Sequence, residues 1–431
     1  MAIVGGGFTG LWTALQLRQA DPSLTVAVIE REVIGFGASG RNGGFAMTLL
    51  DMSLAHLRRN HGDAAARAAH EAVATSVTEM GEAIDQHDIK CEWRHGGLMV
   101  VATNRPQQER IDADLAAAEA LGLEGFRHLS AAEAQAEVHS PTYVGGLHED
   151  HCGVLHPAKL ARGLAGVASR SGVEVFERSD VTAIDEATGR IRITTPRGSV
   201  RAHQVVLATN AWASETEWFR NKVVPLYTYI AMTEPLTVRQ WEEVGWDSHC
   251  GIEDKRNYVH YYRRTLDGRI LWGGSDGVIH HRGRIAPRHD RSSRVLERLT
   301  TTFHRTFPQL RDVGFTHHWG DPWASQRRSC RCSGPCSEAA SITDSAATAT
   351  VSPRATPAAR SCATSCWDAP ATSRSCASST PVRPGFRPNR CAGSAPSSHD
   401  GRCYARTPSS TRTAAVGEME PALLKLINRL G

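Results

Sequence analysis

Six residues near the start, Gly5-Gly6-Gly7-Phe8-Thr9-Gly10, have the spacing G-x-G-x-x-G, and an acid, Glu30, follows twenty residues after the last of them. Glycine-rich turns are common, so the pattern gains weight only from its surroundings. Here an apolar run, Ala2-Ile3-Val4, precedes it, and apolar residues at helical spacing, Leu11, Ala14 and Leu15, follow it. In that setting Gly5 permits a tight turn, Gly7 lets backbone approach a pyrophosphate, and Gly10 lets helix and strand pack closely. A helix N-terminus offers phosphates its free N–H groups and its positive dipole end. Glu30 is placed to accept hydrogen bonds from a ribose 2′-hydroxyl. The chemistry of this segment is dinucleotide binding.

A second segment, Gly37-Ala38-Ser39-Gly40-Arg41-Asn42-Gly43-Gly44, holds four glycines among small or polar residues. It cannot pack a core, but it can line a planar ligand at backbone distance. Ser39 and Arg41 would reach phosphate oxygens, while Gly43 and Gly44 leave space for a flat ring system. Farther on, Tyr258, His260, Tyr262 and Arg264 alternate along one face of an expected strand, with Tyr261 and Arg263 on the other. The first four are the substrate-side candidates, although tyrosine pairs in strands also serve plain sheet packing. Alternation alone leaves open which face meets the ligand. His280-His281 and His317-His318 are adjacent pairs whose side chains diverge, which suits solvated loops better than metal ligands. Cys330-Arg331-Cys332 and Cys362 with Cys366 lack the paired spacing and histidines of a zinc site, so no metal is expected.

The elements that must position these groups can be read from periodicity. Ala2–Val4, the glycine turn, a helix and a buried strand over Leu24–Ile29 make a βαβ unit with a parallel sheet. Residues 63–88 read as a long helix, 97–102 as a strand, 107–121 as a helix, 156–171 as a helix and 173–176 as a strand. Residues 190–195 and 200–208 read as a hairpin turning at Pro196-Arg197-Gly198, its second arm running into a buried strand. Residues 257–264 and 269–272 form another hairpin around Asp267-Gly268. The 431 residues can bury one large core or two modest ones, and the net charge of +4 with no long basic run argues against nucleic acid or an anionic membrane as partner. No run of apolar residues suffices for a membrane span, and the first residues read as a buried strand instead of a signal peptide. A cytoplasmic chain is expected. Three cysteines, Cys91, Cys152 and Cys250, lie in the first 320 residues and eight lie between Cys330 and Cys403, which is no secreted disulfide framework.

Together the segments G-G-G-F-T-G-L-W-T-A-L, G-A-S-G-R-N-G-G, L-H-P-A-K-L-A-R-G-L, V-V-L-A-T-N-A-W and Y-Y-R-R-T-x-D-G-R-I-L-W-G-G resemble the D-amino-acid oxidase family of FAD-dependent oxidoreductases, in the branch of the gamma-glutamylputrescine oxidases. They run from residue 2 to 320 in the family's order. The resemblance implies FAD bound through Gly5, Gly7, Gly10, Glu30, Ser39, Arg41 and Gly43, with the backbone of Val181 at the adenine and Thr209-Asn210-Ala211-Trp212 beside the cofactor. It implies hydride transfer from an amine-bearing carbon to flavin N5, hydrolysis of the imine, and reoxidation by oxygen or another acceptor. The substrate would be a small-molecule amine, a polyamine derivative or an amino acid. A dehydrogenase passing electrons to a quinone or carrier is the rival enzyme, and an inactive flavin-binding remnant the rival from outside enzymes. The expected α/β fold has a Rossmann-like FAD domain from 1–90, 145–218 and 311–321, with a second, antiparallel-sheet substrate domain from 91–144 and 219–310.

Composition changes abruptly at Trp323. To about Val416 there is no leucine, no lysine and one isoleucine, Ile342, amid serine, arginine, proline and cysteine. Such a stretch cannot bury enough apolar surface to offset its ordering entropy, so 322–416 is expected to be disordered or aberrant. Its cysteines, with Trp323 and Trp367, are unusual for a disordered tail. If the last base of each codon is read with the first two of the next, with degenerate bases chosen freely, Pro322 to Glu338 becomes L-G-V-S-A-A-V-M-P-V-F-G-T-L-F-G-G. Ser352 to Trp367 becomes A-P-G-H-T-G-G-K-I-L-R-D-L-V-L-G, with apolar periodicity restored. Residues 417–431, with Leu423, Leu424, Leu426 and Ile427, read as an in-frame helix. Two compensating frame changes account for the pattern. A chain with 322–416 re-read in the shifted frame should therefore purify yellow, and the chain as written flavin-poor. Equal flavin absorbance per chain in the two proteins would leave the tail as genuine disorder.

Overall fold

The computed structural model describes residues 1–326 apart from 50–52, 188–189, 217–218, 220–222 and 275. The expected disorder or frame change over 327–416 and the expected helix at 417–431 lie outside the described residues. In chain order the first elements are β1 (Ala2–Val4), α1 (Phe8–Ala20), β2 (Ala27–Ile29), α2 (Ala38–Arg41), β3 (Phe45–Ala46), α3 (Leu54–His61) and α4 (Asp63–Gln86). Next come β4 (Leu98–Ala102), α5 (Arg105–Leu121), β5 (Phe126–Ser130), α6 (Ala131–Glu137), β6 (Gly145–Glu149), β7 (Gly153–Val154) and α7 (Pro157–Arg170). Five short strands follow: β8 (Glu174–Phe176), β9 (Ala183–Ala187), β10 (Arg190–Thr195), β11 (Gly198–Ala202) and β12 (Val205–Leu207). The last are β13 (Val223–Thr233), α8 (Val238–Val244), β14 (Gly251–Asp254), β15 (Tyr261–Arg264), β16 (Ile270–Gly273), α9 (Ser293–Thr306) and β17 (Phe315–Gln326).

Four strands in the order β12-β1-β2-β8 form an all-parallel sheet, because each is joined to the next by a crossover. β1 and β2 are buried along their whole length, and Leu11 and Leu15 of α1 meet Leu160 and Leu164 of α7 in the core beside them. Val77, Met80 and Ile84, one stripe of α4, close that core. β9, β10 and β11 form a separate antiparallel sheet.

The larger sheet has eight strands in the order β17-β13-β16-β15-β14-β4-β6-β5, antiparallel except where β14 runs parallel to β4. On one face α9 lays Val295, Leu299 and Phe303, spaced four apart, onto Tyr229, Tyr262 and Trp272. On the other face Leu98, Val100 and Leu147 pack with Phe45 of β3. The α/β architecture is therefore the expected one, with a mixed second sheet. No helix among the described residues is long and apolar enough to cross a membrane.

Several boundaries move. The second strand covers Ala27–Ile29 alone, because the Leu24 N–H closes a turn on the Asp21 carbonyl at 3.1 Å. The arm expected over 200–208 divides at His203-Gln204 into β11 and β12, which join different sheets. The strand expected from Asn257 starts at Tyr261. β6 and β17, assigned in the expectation to the cofactor domain, are hydrogen-bonded into the large sheet. β17 also continues to Gln326, past the expected boundary at 322, because ladder pairing with β13 uses backbone groups whatever the side chains.

Trp272 is fully buried, stacked on Tyr262 at 4.3 Å and edge-on to Phe303 at 5.5 Å, while its indole N–H has no partner among the described residues. Trp272→Ala should cost about 3–5 kcal/mol in urea unfolding. Trp272→Phe, which keeps an aromatic ring and removes an unpaired buried donor, should cost far less. Equal losses in the two variants would contradict this packing account.

Candidate functional site

The glycine turn sits where the chain leaves β1, at the carboxyl end of a parallel strand, the usual ligand edge of such sheets. Gly5 has φ +112°, and a β-carbon there would lie 2.3 Å from the Ala208 carbonyl oxygen, just after β12. A β-carbon on Gly10 would lie 2.0 Å from the Gly5 carbonyl oxygen, so helix and turn touch backbone to backbone. Gly7 is the N-cap of α1 and supplies no capping side chain. The Ser39 hydroxyl does that work, accepting from the Phe8 N–H at 2.8 Å, and a β-carbon on Gly7 would strike it at 2.8 Å. Glu30 follows β2 and accepts from the Gly6 N–H at 2.7 Å and the Glu32 N–H at 2.9 Å. Burial holds its carboxyl above the ordinary range, against the pull of those two donors. Thr209, next to Gly5, has a buried hydroxyl with no partner among the described residues. Val181 packs beside Ile29 and Ile193 at the entrance to β9.

Gly43 and Gly44 bring the loop from Gly37 to Gly44 against the large sheet. A β-carbon on Gly43 would stand 2.7 Å from the Tyr261 ring, and one on Gly44, at φ +77°, 2.1 Å from the Leu155 carbonyl oxygen. Arg263 Nε donates to the Gly43 carbonyl at 2.6 Å, and its Nη1 donates to the Arg264 carbonyl at 3.2 Å. Burial pushes the Arg263 pKa down to about 10, and the carboxylates of Glu92 and Asp267 act the other way. Arg41 pairs with Asp290 at 3.0 Å and lies 4.4 Å over the Phe36 ring. The expected phosphate partners thus divide: Ser39 stands at the α1 N-terminus, whereas Arg41 is turned toward Asp290 and the Gly320 carbonyl.

The alternation expected around Tyr262 is present, and it is the opposite face that meets the loop. Tyr262 is buried in the aromatic core under α9, with its hydroxyl 2.7 Å from that of Tyr143. His260 lies against Trp272 and shares a 3.1 Å hydrogen bond with the Gly273 carbonyl. Arg264 lies over the Trp241 ring at 4.1 Å. Tyr258 precedes the strand and is 64% exposed. Tyr261 and Arg263 are the pair that reaches Gly43. Of the histidine pairs, His281 and His317 are exposed. His280 stacks on His289 at 3.7 Å, and His318 on Tyr229 at 5.7 Å, so these two belong to an aromatic cluster and not to solvated loops.

Sequence reasoning missed three acids on the face that carries Tyr261. Asp321 of β17 is buried beside Tyr261 and Arg41, and one of its oxygens has no partner among the described residues. Burial pushes its pKa up to about 8, with Arg41 opposing and Asp290 adding to the rise. Glu149 and Glu253 are also buried, and burial pushes each to about 7. Acids inside the apolar runs Gly251-Ile252-Glu253-Asp254 and Gly146-Leu147-His148-Glu149 were the available signal.

A family described as FAD dependent oxidoreductase (DAO) matches residues 1–329. A gamma-glutamylputrescine oxidoreductase of Escherichia coli is 32% identical over 321 residues, covering 74% of this chain and 72% of that protein. Among solved structures, glycine oxidase from Geobacillus kaustophilus superposes with a TM-score of 0.63 at 19% identity, covering 76% of this chain and 83% of its own. L-proline dehydrogenase from P. horikoshii gives a TM-score of 0.62 at 17% identity, covering 82% and 90% respectively.

Asp321 makes a prediction about pH. Its folded pKa lies above the ordinary carboxylate value of 3.8, so the folded chain holds a proton that the unfolded chain releases. Stability from this group is therefore full below about pH 4 and is lost as pH rises toward about 8. Asp321→Asn should raise the melting temperature at pH 8.5 and leave it nearly unchanged at low pH, a gain on the order of 2 kcal/mol at the alkaline end. Parallel melting curves across that range in the two proteins would refute the assignment.

Proposed function

The chain belongs to the DAO family of FAD-dependent oxidoreductases, and on that premise we propose that it oxidises the C–N bond of an amine or amino acid. The residues present suit FAD. Gly5, Gly7 and Gly10 would keep the backbone flat beneath the pyrophosphate, since a β-carbon at each has no room. Ser39 would share the α1 N-terminus with the phosphates, and Glu30 would accept from the ribose while keeping its grip on the Gly6 amide. The backbone beside Val181 would take the adenine, and Gly43, whose side-chain space the Tyr261 ring fills, would offer its backbone to the ring system. Arg41 would act as a tether, its charge already matched by Asp290. FAD held there would supply the two-electron oxidant for the amine-bearing carbon.

The protein's own part is orientation and exclusion of water. One observation carries the reading: two side chains of one sheet face, Tyr261 and Arg263, converge on the Gly43 backbone. The large sheet thereby forms a wall against the cofactor loop, and a substrate bound on that wall would present its carbon to the loop. Burial pushes the Tyr261 pKa up, so its phenol stays neutral and donates without adding charge. Arg263 is a positioning residue, holding the loop through the Gly43 carbonyl.

Anaerobic mixing with a panel of amines and amino acids should bleach the yellow flavin band for at least one of them, and admitting air then tests oxygen as acceptor. Arg263→Met should weaken FAD binding by about 1.5–3 kcal/mol, the worth of a hydrogen bond from a charged donor. Tyr258→Ala, at an exposed position, should change neither flavin affinity nor bleaching. A flavin-loaded protein that no amine or amino acid bleaches would sink the proposal.

A further inference from the structure

We propose that the cavity between α3, α5 and the large sheet binds a protonated alkylamine, the non-reacting ammonium end of the substrate. This rests on the reading that the substrate is oxidised beside Gly43. The cavity is lined by Thr48, Val100 and Leu147 and by three buried acids, Asp114, Glu149 and Glu253.

The three acids are not equivalent. Asp114 is satisfied by Lys255, whose ammonium lies 2.9 Å away. Glu149 accepts a hydrogen bond from the Thr48 hydroxyl. Glu253 is 6% exposed, lines the cavity, and makes no hydrogen bond or ion pair with a described residue; Lys255 reaches it only through its field. His70, also in the wall, supplies no positive charge, because burial pushes its pKa down to about 4. Three carboxyls thus face one ammonium already committed to Asp114. A buried carboxylate without a counter-charge is costly, and a cation in the cavity removes that cost.

The walls decide what kind of cation. Leu54, Leu98, Val100 and Leu147 give the cavity an apolar lining that would accept methylene groups. Among the described residues no group of three or more His, Cys, Asp or Glu is arranged to hold a metal ion. An ammonium on an alkyl chain matches both the charge and the lining.

Position ties the cavity to the reaction. Glu253 is the ladder partner of Tyr261, and Val100 is that of Glu253, so all three lie on one face. Tyr261 in turn touches Gly43. Thr48 follows Gly44 by four residues, so the cofactor loop itself leads into the cavity. A molecule with an amine at the loop and a second ammonium one strand away would span the two.

The test uses the full chain and a ligand too short to do both jobs. Titration calorimetry with n-butylammonium chloride should show binding, and n-butanol and sodium butyrate, which share the chain but lack the positive charge, should show none. Glu253→Gln should weaken butylammonium binding by about tenfold or more. It should also melt no lower than the parent, because the substitution removes an unpaired buried acid. Binding of butyrate or butanol as tight as that of butylammonium, unchanged affinity in folded Glu253→Gln, or no butylammonium binding would each overturn the proposal. Butylammonium binding without flavin bleaching by any amine would leave this site standing and remove the proposed reaction. Bleaching without butylammonium binding would do the reverse.

Discussion

The contact between Arg263 and the Gly43 carbonyl joins the two halves of the described chain at the point where a ligand would lie. A guanidinium removed from water loses several kcal/mol of hydration, and only well-placed acceptors restore it. Arg263 finds two, the carbonyls of Gly43 and Arg264, with Nε–O at 2.6 Å for the first. Gly43 suits that approach because it has no side chain: a β-carbon there would stand 2.7 Å from the Tyr261 ring. The loop from Gly37 to Gly44 is consequently fixed at its far end by the large sheet. Its near end is fixed by Ser39 at the start of α1. A segment with four glycines among its eight residues gains much of its shape from these two attachments.

The same sheet face gathers ionisable groups that a purely structural layer would avoid. Arg263, Glu253, Glu149 and Asp321 are all buried there, and burial displaces the pKa of each toward neutrality. The opposite face also buries an acid, Asp254, but in a different manner. Arg256 lies 2.9 Å from it, and it accepts from the N–H groups of His260 and Arg256. One face balances its charge within the protein; the other leaves carboxylate oxygens unmatched. Such imbalance is a cost to folding that a bound partner can offset, which is why perturbed groups gather at sites.

How much of this was legible depended on whether the signal was local. The βαβ unit was, because Gly5, Gly7, Gly10 and Glu30 act within one strand–turn–helix–strand run and their spacing carries the geometry. The long helices were also legible, since amphipathic periodicity accumulates over many residues, as it does in α4 and α7; α9 was not read from the sequence. The face of β15 was not. Tyr261 and Tyr262 are chemically the same, and only the packing of α9 on one side and the Gly43 loop on the other distinguishes them. The Arg41–Asp290 contact was illegible for a related reason: the two residues are 249 apart and no local pattern links them. The places of β6 and β17 in the large sheet likewise rest on strand pairing, β6 with β4 and β5 and β17 with β13, that no local pattern shows.

β17 shows where composition and structure part company. From Trp323 onward the sequence loses the leucines and isoleucines that mark a core, yet Leu226 pairs with Trp323 and Val223 with Gln326 in unbroken register. Backbone groups carry that pairing, and the Ala324 N–H is drawn further by the Asn210 side-chain oxygen at 2.7 Å. Asn210 itself holds φ +45° in the turn that follows β12, next to the backbone abutting Gly5. Nearer its other end β17 meets the loop from Gly37 to Gly44, with the Trp319 indole donating to the Arg41 carbonyl at 2.8 Å. The final described strand therefore touches both glycine segments, one through Asn210 and one through Arg41. The part of the chain whose composition first departs from a folded domain is held in place by the same loops that would hold the cofactor.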